Sequence, residues 1–184
     1  GTLAVSGSVL NSIFSNISQN ENVFFEDKDG NLLIKTKKSQ IKLKSQPYED
    51  FPTIPIVVGS SFEIESSKLG DGIKSVYYSS SVSDVKPEIS SVFMYTNEDN
   101  LIFVSTDSFR LAEKKIKVKG VEEILGILIP YKNIAEILRI FGELKNVIKV
   151  CFNKNQISFS SDGIYLTSRI IDGIFPDYKQ IIPK

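Results

Sequence analysis

The stretch Thr106-Asp107-Ser108-Phe109-Arg110-Leu111-Ala112 gathers a carboxylate, a guanidinium, two hydroxyls and an aromatic ring within seven positions. It follows the apolar run Leu101-Ile102-Phe103-Val104, so it falls where a strand turns. Two chemistries suit it. In one, Asp107 caps backbone amides, Arg110 pairs with it, and Phe109 packs inward. In the other, Phe109 and Leu111 floor a surface pocket and Arg110 donates hydrogen bonds from its rim. Apolar concavities with a few placed polar groups are how proteins hold short peptides. A further reading makes Asp107 and Asp177, with Arg110, the acid–base pair of a sugar hydrolase, which needs two carboxylates at a set separation in one cleft. Both aspartates lie in turn sequences, which favours bracing over catalysis.

The rest of the inventory narrows the field. There is no histidine, and Cys151 is the single cysteine, so a Ser-His-Asp triad, a Cys–His pair, a disulfide and a zinc cluster are excluded. Acid–base work would fall to carboxylates, lysine or tyrosine. Of the 184 residues, 41% are hydrophobic and 24% charged, a globular composition. Lys plus Arg and Asp plus Glu are 22 each, which excludes a polybasic arm or an acidic tail. Any grip on nucleic acid must come from local placement of charge. No run approaches the roughly 20 apolar residues that span a bilayer. The opening GTLAVSGSVLNSIF lacks the basic region and apolar stretch of a secretory signal. A reduced, cytoplasmic setting is expected, with no membrane contact.

The elements that must position these residues show a repeat. Phe51-Pro52 and Phe175-Pro176 stand 124 positions apart. At that offset Asn31 falls on Asn155, and Val5, Leu10, Ile13, Phe14 and Ile17 fall on Ile129, Ile134, Ile137, Leu138 and Phe141. Both sets have the spacing of an amphipathic helix. Residues 1–55 are then expected to match the back part of a unit whose full copy runs from about 57 to 183. On that expectation the chain opens within a repeat.

The full copy divides again. Its first half reads as a strand over Ser61–Ile64, a helix over about Lys68–Ser80, and strands near Ser91–Tyr95, Leu101–Thr106 and Ala112–Val118. Its second half reads as a strand over Ile124–Ile129, a helix over Tyr131–Phe141, and strands near Val147–Asn153, Gln156–Ser160 and Ile164–Ile170. Pro130 suits the start of the second helix and Gly142 a C′ position. The first helix is weakened by Gly70 and Gly72, each costing about 1 kcal/mol against alanine. A lone half would leave its helix stripe and sheet face wet, so the halves must pack together.

Thr106–Ala112 resembles the T-D-[GS]-x-R-L-A signature of the bacterial sliding clamp family, the beta subunit of DNA polymerase III. Val85-Lys86-Pro87-Glu88-Ile89, Ile129-Pro130-Tyr131-Lys132, and Leu166 to Arg169 through Asp172 to Tyr178 resemble three further family segments in the same order. Tyr48-Glu49-Asp50-Phe51-Pro52 is similar to the first-domain equivalent of the last. The resemblance implies an α+β, DNA-clamp fold, each domain a duplicated helix-plus-four-strand unit with helices on the inner face and sheets outside. It implies that residues 1–56 are the back half of the first domain and 57–184 the second, with the third absent.

The function so implied is a homodimeric, non-catalytic ring around duplex DNA, needing no cofactor, no metal and no sequence readout. Contacts to phosphates would be few and salt-sensitive. The matching DNA-facing positions are Lys132 and Arg139, seven apart on one helix face, with Lys74, Lys86 and Ser83. Polymerases, the clamp loader and repair proteins would insert a glutamine-plus-hydrophobic peptide at Ile89, Thr106, Ser108, Phe109, Arg110, Leu111, Pro176, Gln180 and Ile181. Departures from the family weaken the positive wall: Ser8, Val9, Ser15 and Tyr131 stand at basic positions, and Lys86 and Gln180 replace arginines. A β-rich scaffold without nucleic acid, or a clamp relative without a ring, is the alternative.

Overall fold

The computed structural model describes residues 1–83, 85–121, 123–180 and 182, which form two compact units, 1–54 and 55–184. In the first unit, helix α1 (Gly7–Phe14) precedes an antiparallel meander of β1 (Phe24–Lys28), β2 (Asn31–Lys35) and β3 (Gln40–Leu43). The amphipathic pattern predicted a longer helix; Val5 and Ile17 instead flank α1 in non-helical backbone. Asp29 and Gly30 turn β1 into β2 with φ of 55° and 68°, the left-handed pair that suits a two-residue hairpin. Leu33 and Ile34 are the buried residues of this unit.

The second unit holds two four-stranded antiparallel sheets. Its elements are β4 (Ser60–Glu65), α2 (Ser66–Lys74), β5 (Ser91–Asn97), β6 (Asn100–Thr106) and β7 (Leu111–Lys117). There follow β8 (Ile127–Pro130), α3 (Tyr131–Phe141), β9 (Val147–Phe152), β10 (Gln156–Ser161) and β11 (Ile164–Arg169). The sheet orders are β11-β10-β9-β4 and β7-β6-β5-β8. Each half therefore gives its first strand to the other half's sheet, Ile64 opposite Ile148 and Val92 opposite Ile129. This exchange makes the two halves one folding unit.

Phe62 and Ile64 alternate inward from β4 while Ser61, Glu63 and Glu65 face solvent, the pattern of a sheet with one wet face. The core joins both sheets to Leu69 and Ile73 of α2 and to Ile134, Ile137 and Phe141 of α3. The repeat is visible in backbone bonding too. Ala4 bridges Gln46 before α1, as Leu128 bridges Ile171 before α3.

Helix α2 differs from its expected span. It begins at Ser66, whose hydroxyl donates to the Phe141 carbonyl and whose N–H donates to the Asn146 carbonyl at 2.9 Å. It ends at Lys74 instead of Ser80. The buried Ser105 hydroxyl on β6 donates to the Val76 carbonyl, and the chain tightens into a 3₁₀ turn over Tyr77–Ser79. Gly70 lies against the backbone of Gly142, where a Cβ would stand 3.3 Å from the Gly142 carbonyl oxygen. Gly142 has φ −67°, so it is not a left-handed cap; a Cβ there would press on the Leu138 carbonyl of its own helix. Strand β8 also starts later than expected, at Ile127 instead of Ile124.

One feature of β6 prepares the site. From Leu101 to Thr106 every residue is buried, on both faces. Its outer side is covered by the tail after β11: Ile102, Val104, Leu128, Phe175 and Tyr178 form a second apolar cluster.

Candidate functional site

The turn between β6 and β7 is built from its own side chains. Asp107 Oδ1 accepts the N–H groups of Phe109 at 2.9 Å and Arg110 at 2.8 Å. Its Oδ2 accepts Arg110 Nε and Nη2, each at 2.9 Å. Thr106 Oγ1 donates to the Arg110 carbonyl at 2.6 Å and accepts the Ser108 N–H at 3.1 Å. Ser108 is held at φ 77°, the left-handed region. The amides of Phe109 and Arg110, and then the Arg110 guanidinium, hold the Asp107 carboxyl below its ordinary range. These bonds spend Asp107 on the turn. Asp177 is likewise engaged locally, accepting Gln180 Nε2 at 2.7 Å. Both aspartates brace their own turns, as their sequence context favoured.

Phe109 corrects the sequence reading in both its forms. It neither packs inward nor floors a pocket: 96% exposed, it stands at the hairpin tip. A two-bond carboxylate brace fixes the backbone whichever way that ring points, so the turn needs no apolar anchor. Leu111, half-buried, packs instead into the outer cluster with Phe175 and Tyr178.

The tail that carries Pro176 is anchored by aromatic rings. Phe175 stacks on Phe93 at 4.9 Å and 8°, and Phe93 stacks on Tyr95 at 5.1 Å. Tyr178 meets Phe175 edge-on at 6.2 Å. Its hydroxyl donates to the Glu113 carboxylate and lies 2.7 Å from the Tyr95 hydroxyl. Burial, and then these two bonds, push the Tyr178 phenol far above its ordinary range. Lys179 caps the group, its ammonium 5.6 Å from the centre of the Tyr95 ring. Pro176 and Gln180 remain exposed beside this anchor.

Of the expected peptide-site residues, Leu111 belongs to this outer face, Thr106, Ser108 and Arg110 form the adjoining turn, and Pro176 and Gln180 sit on the anchored tail. Ile89 is half-buried in the loop before β5 and is not among the side chains packed into the cluster. Ile181 lies outside the described residues. Sequence reasoning missed Phe93, Tyr95, Glu113 and Tyr178. The available signal was the unbroken apolar run of β6, which marks a strand covered on both faces and so requires a lid.

The helices present a second surface. Lys132 and Arg139 are exposed on α3 opposite the buried Ile134, Ile137 and Phe141, and Lys74 is exposed on α2. Arg139 pairs with Glu136 at 2.8 Å, and Lys68 with Glu65 at 2.8 Å. With Asp71 also exposed, the helical faces carry mixed charge with a small positive excess. Ser83 and Lys86 are exposed in a loop stapled by Ser90, whose hydroxyl donates to both their carbonyls. Beside that loop and the start of α3 is a concavity of about 240 Å³, lined by Val82, Pro87, Ser90, Pro130 and Lys132 among others. Among the described residues no cluster of three or more acidic, cysteine or histidine side chains could hold a metal, and no helix is long and apolar enough to cross a membrane.

Comparison with known proteins agrees with this architecture. The beta sliding clamp of Rickettsia bellii is 28% identical over 189 residues, covering all of this chain and 50% of that protein. The beta sliding clamp of Helicobacter pylori is 30% identical over 181 residues, covering 90% and 45%. The chain thus spans about half the length of the curated relatives it matches. The crystal structure of the DNA polymerase III subunit beta from Pseudomonas aeruginosa superposes with a TM-score of 0.88 at 26% identity, over 98% of this chain and 50% of that one. A sliding clamp from the same organism, bound to griselimycin, superposes with a TM-score of 0.92 at 26% identity, over 98% and 49%. Residues 63–177 match the central domain of the DNA polymerase III beta subunit, and the chain belongs to that family.

Proposed function

We propose that this chain is part of a DNA sliding clamp, a non-catalytic, cytoplasmic processivity factor that encircles duplex DNA as a homodimeric ring and tethers partner proteins. Residues 1–56 act as the back half of one clamp domain and residues 57–184 as the next. Support comes from the shared order of elements, α1-β1-β2-β3 in the first unit and α3-β9-β10-β11 in the second.

The outer groove beside Leu111 and Pro176 takes short peptides, a glutamine followed by hydrophobic residues, from polymerases, the clamp loader and repair proteins. One observation supports this reading: half-buried Leu111, on the outer apolar cluster, adjoins a hydrogen-bonded turn and the exposed Pro176 of the anchored tail, so a peptide would meet preorganised surroundings. Thr106, Ser108, Phe109, Arg110 and Gln180 form its rim, and Ile89 joins Leu111 and Pro176 in covering the peptide's aliphatic end. Burying an aliphatic side chain there contributes roughly 1.5–3 kcal/mol. Lys132, Arg139, Lys74, Lys86 and Ser83 touch DNA phosphates weakly, as a sliding ring requires.

Fluorescence anisotropy with a labelled glutamine–leucine–phenylalanine peptide tests the groove. Binding that is abolished by Leu111→Asp supports it, and binding indifferent to that change refutes it.

A further inference from the structure

Leu111 and Glu113 stand two apart on β7, and alternation puts them on one face of the strand, while Ala112 between them packs toward the main core. Leu111 floors the groove. The Glu113 carboxylate accepts a hydrogen bond from the hydroxyl of Tyr178, which is 3% exposed and lies two residues after Pro176. Glu113 is held in turn by Lys115 at 3.2 Å, and Tyr178 by the Tyr95 hydroxyl at 2.7 Å. The two walls of the groove come from segments more than sixty positions apart in sequence. Among the described residues the Tyr178–Glu113 bond is a directional polar tie between them, and the ring contacts of Phe175 can slide where such a bond cannot.

We infer that Tyr178 is a positioning residue for the partner peptide: its bond to Glu113 latches the Pro176 tail to the Leu111 strand and sets the width of the groove. This rests on the peptide-groove reading above. The latch touches no peptide atom. It acts by holding Pro176 at one distance from Leu111, so that binding need not order the tail.

The test measures anisotropy of a fluorescein-labelled glutamine–leucine–phenylalanine peptide against the whole chain and its variants. Tyr178→Phe and Glu113→Ala are each expected to weaken binding about three- to tenfold, and the double variant no further than the weaker single, because both remove one bond. Glu113→Gln keeps a carbonyl acceptor for the Tyr178 hydroxyl and is expected to restore most of the affinity, a rescue that general loss of packing would not give. Singles that bind like the parent, a double variant whose losses multiply, or no rescue by Glu113→Gln would each overturn the latch. If the parent chain fails to bind, or Leu111→Asp binds normally, the groove falls and the latch with it. If Leu111→Asp abolishes binding while Tyr178→Phe is silent, only the latch falls.

Discussion

Gly72 of α2 lies directly over the ring of Phe103 on β6: a Cβ at Gly72 would stand 2.4 Å from the Phe103 Cε2. Phe103 is fully buried, and the same Cβ would stand 3.0 Å from Ile116 Cδ1. Two forces compete in Gly72→Ala. Helix propensity favours alanine by about 1 kcal/mol, whereas overpacking a closed core costs typically 1–3 kcal/mol. The ring has nowhere to go, so the variant is expected to be less stable by about 1 kcal/mol. A urea midpoint lower than the parent's, at unchanged slope, is the confirming measurement.

Phe175→Ala removes a ring that is 7% exposed and stacked on Phe93. The expected loss is about 3 kcal/mol, the usual cost of truncating a buried phenylalanine. Ile102 and Val104 would then face water, so amide exchange should rise in β6 before it rises in β9. Uniform exchange across both sheets would contradict a lid confined to one of them.

Asp107 links the turn to acidity. Its folded carboxyl lies below the ordinary value of 3.8, so the folded state holds the proton less tightly than the unfolded chain. Its stabilisation is therefore fully present above about pH 4 and is lost as pH falls through the lowered folded value. Asp107→Asn is expected to cost stability at pH 6 and to cost less at pH 3. Equal losses at both values would show that the carboxylate charge does not matter to the turn.

Arg139 is held by Glu136 on the face proposed to meet DNA. Glu136→Gln should tighten binding to a duplex oligonucleotide at 50 mM salt, and Arg139→Glu should weaken it. Both effects are expected to shrink at 200 mM salt, because they act through phosphate contacts. Salt-independent changes would place this face away from the nucleic acid.

Much of the architecture was legible because it is local. The spacing of Ile134, Ile137 and Phe141 behind Pro130 defined α3 to the residue, and the strands expected near Val147–Asn153, Gln156–Ser160 and Ile164–Ile170 are β9, β10 and β11 to within one residue. The end of α2 was not legible, because Ser105 on β6, 29 positions from Val76, captures the Val76 carbonyl. The glycines that seemed to weaken α2 are there for contact with Gly142 and Phe103, partners that helix propensity does not see.

From sequence alone, the repeat, the carboxylate brace of Asp107 on Arg110 and the family motifs could be read, since each depends on residues within one turn or on a constant offset. Tertiary structure decided which sheet receives β4 and β8, where Phe109 points, and that Phe175 and Tyr178 cover β6. Those outcomes follow from antiparallel register and from burial against distant segments, and neighbours in the chain carry no record of either.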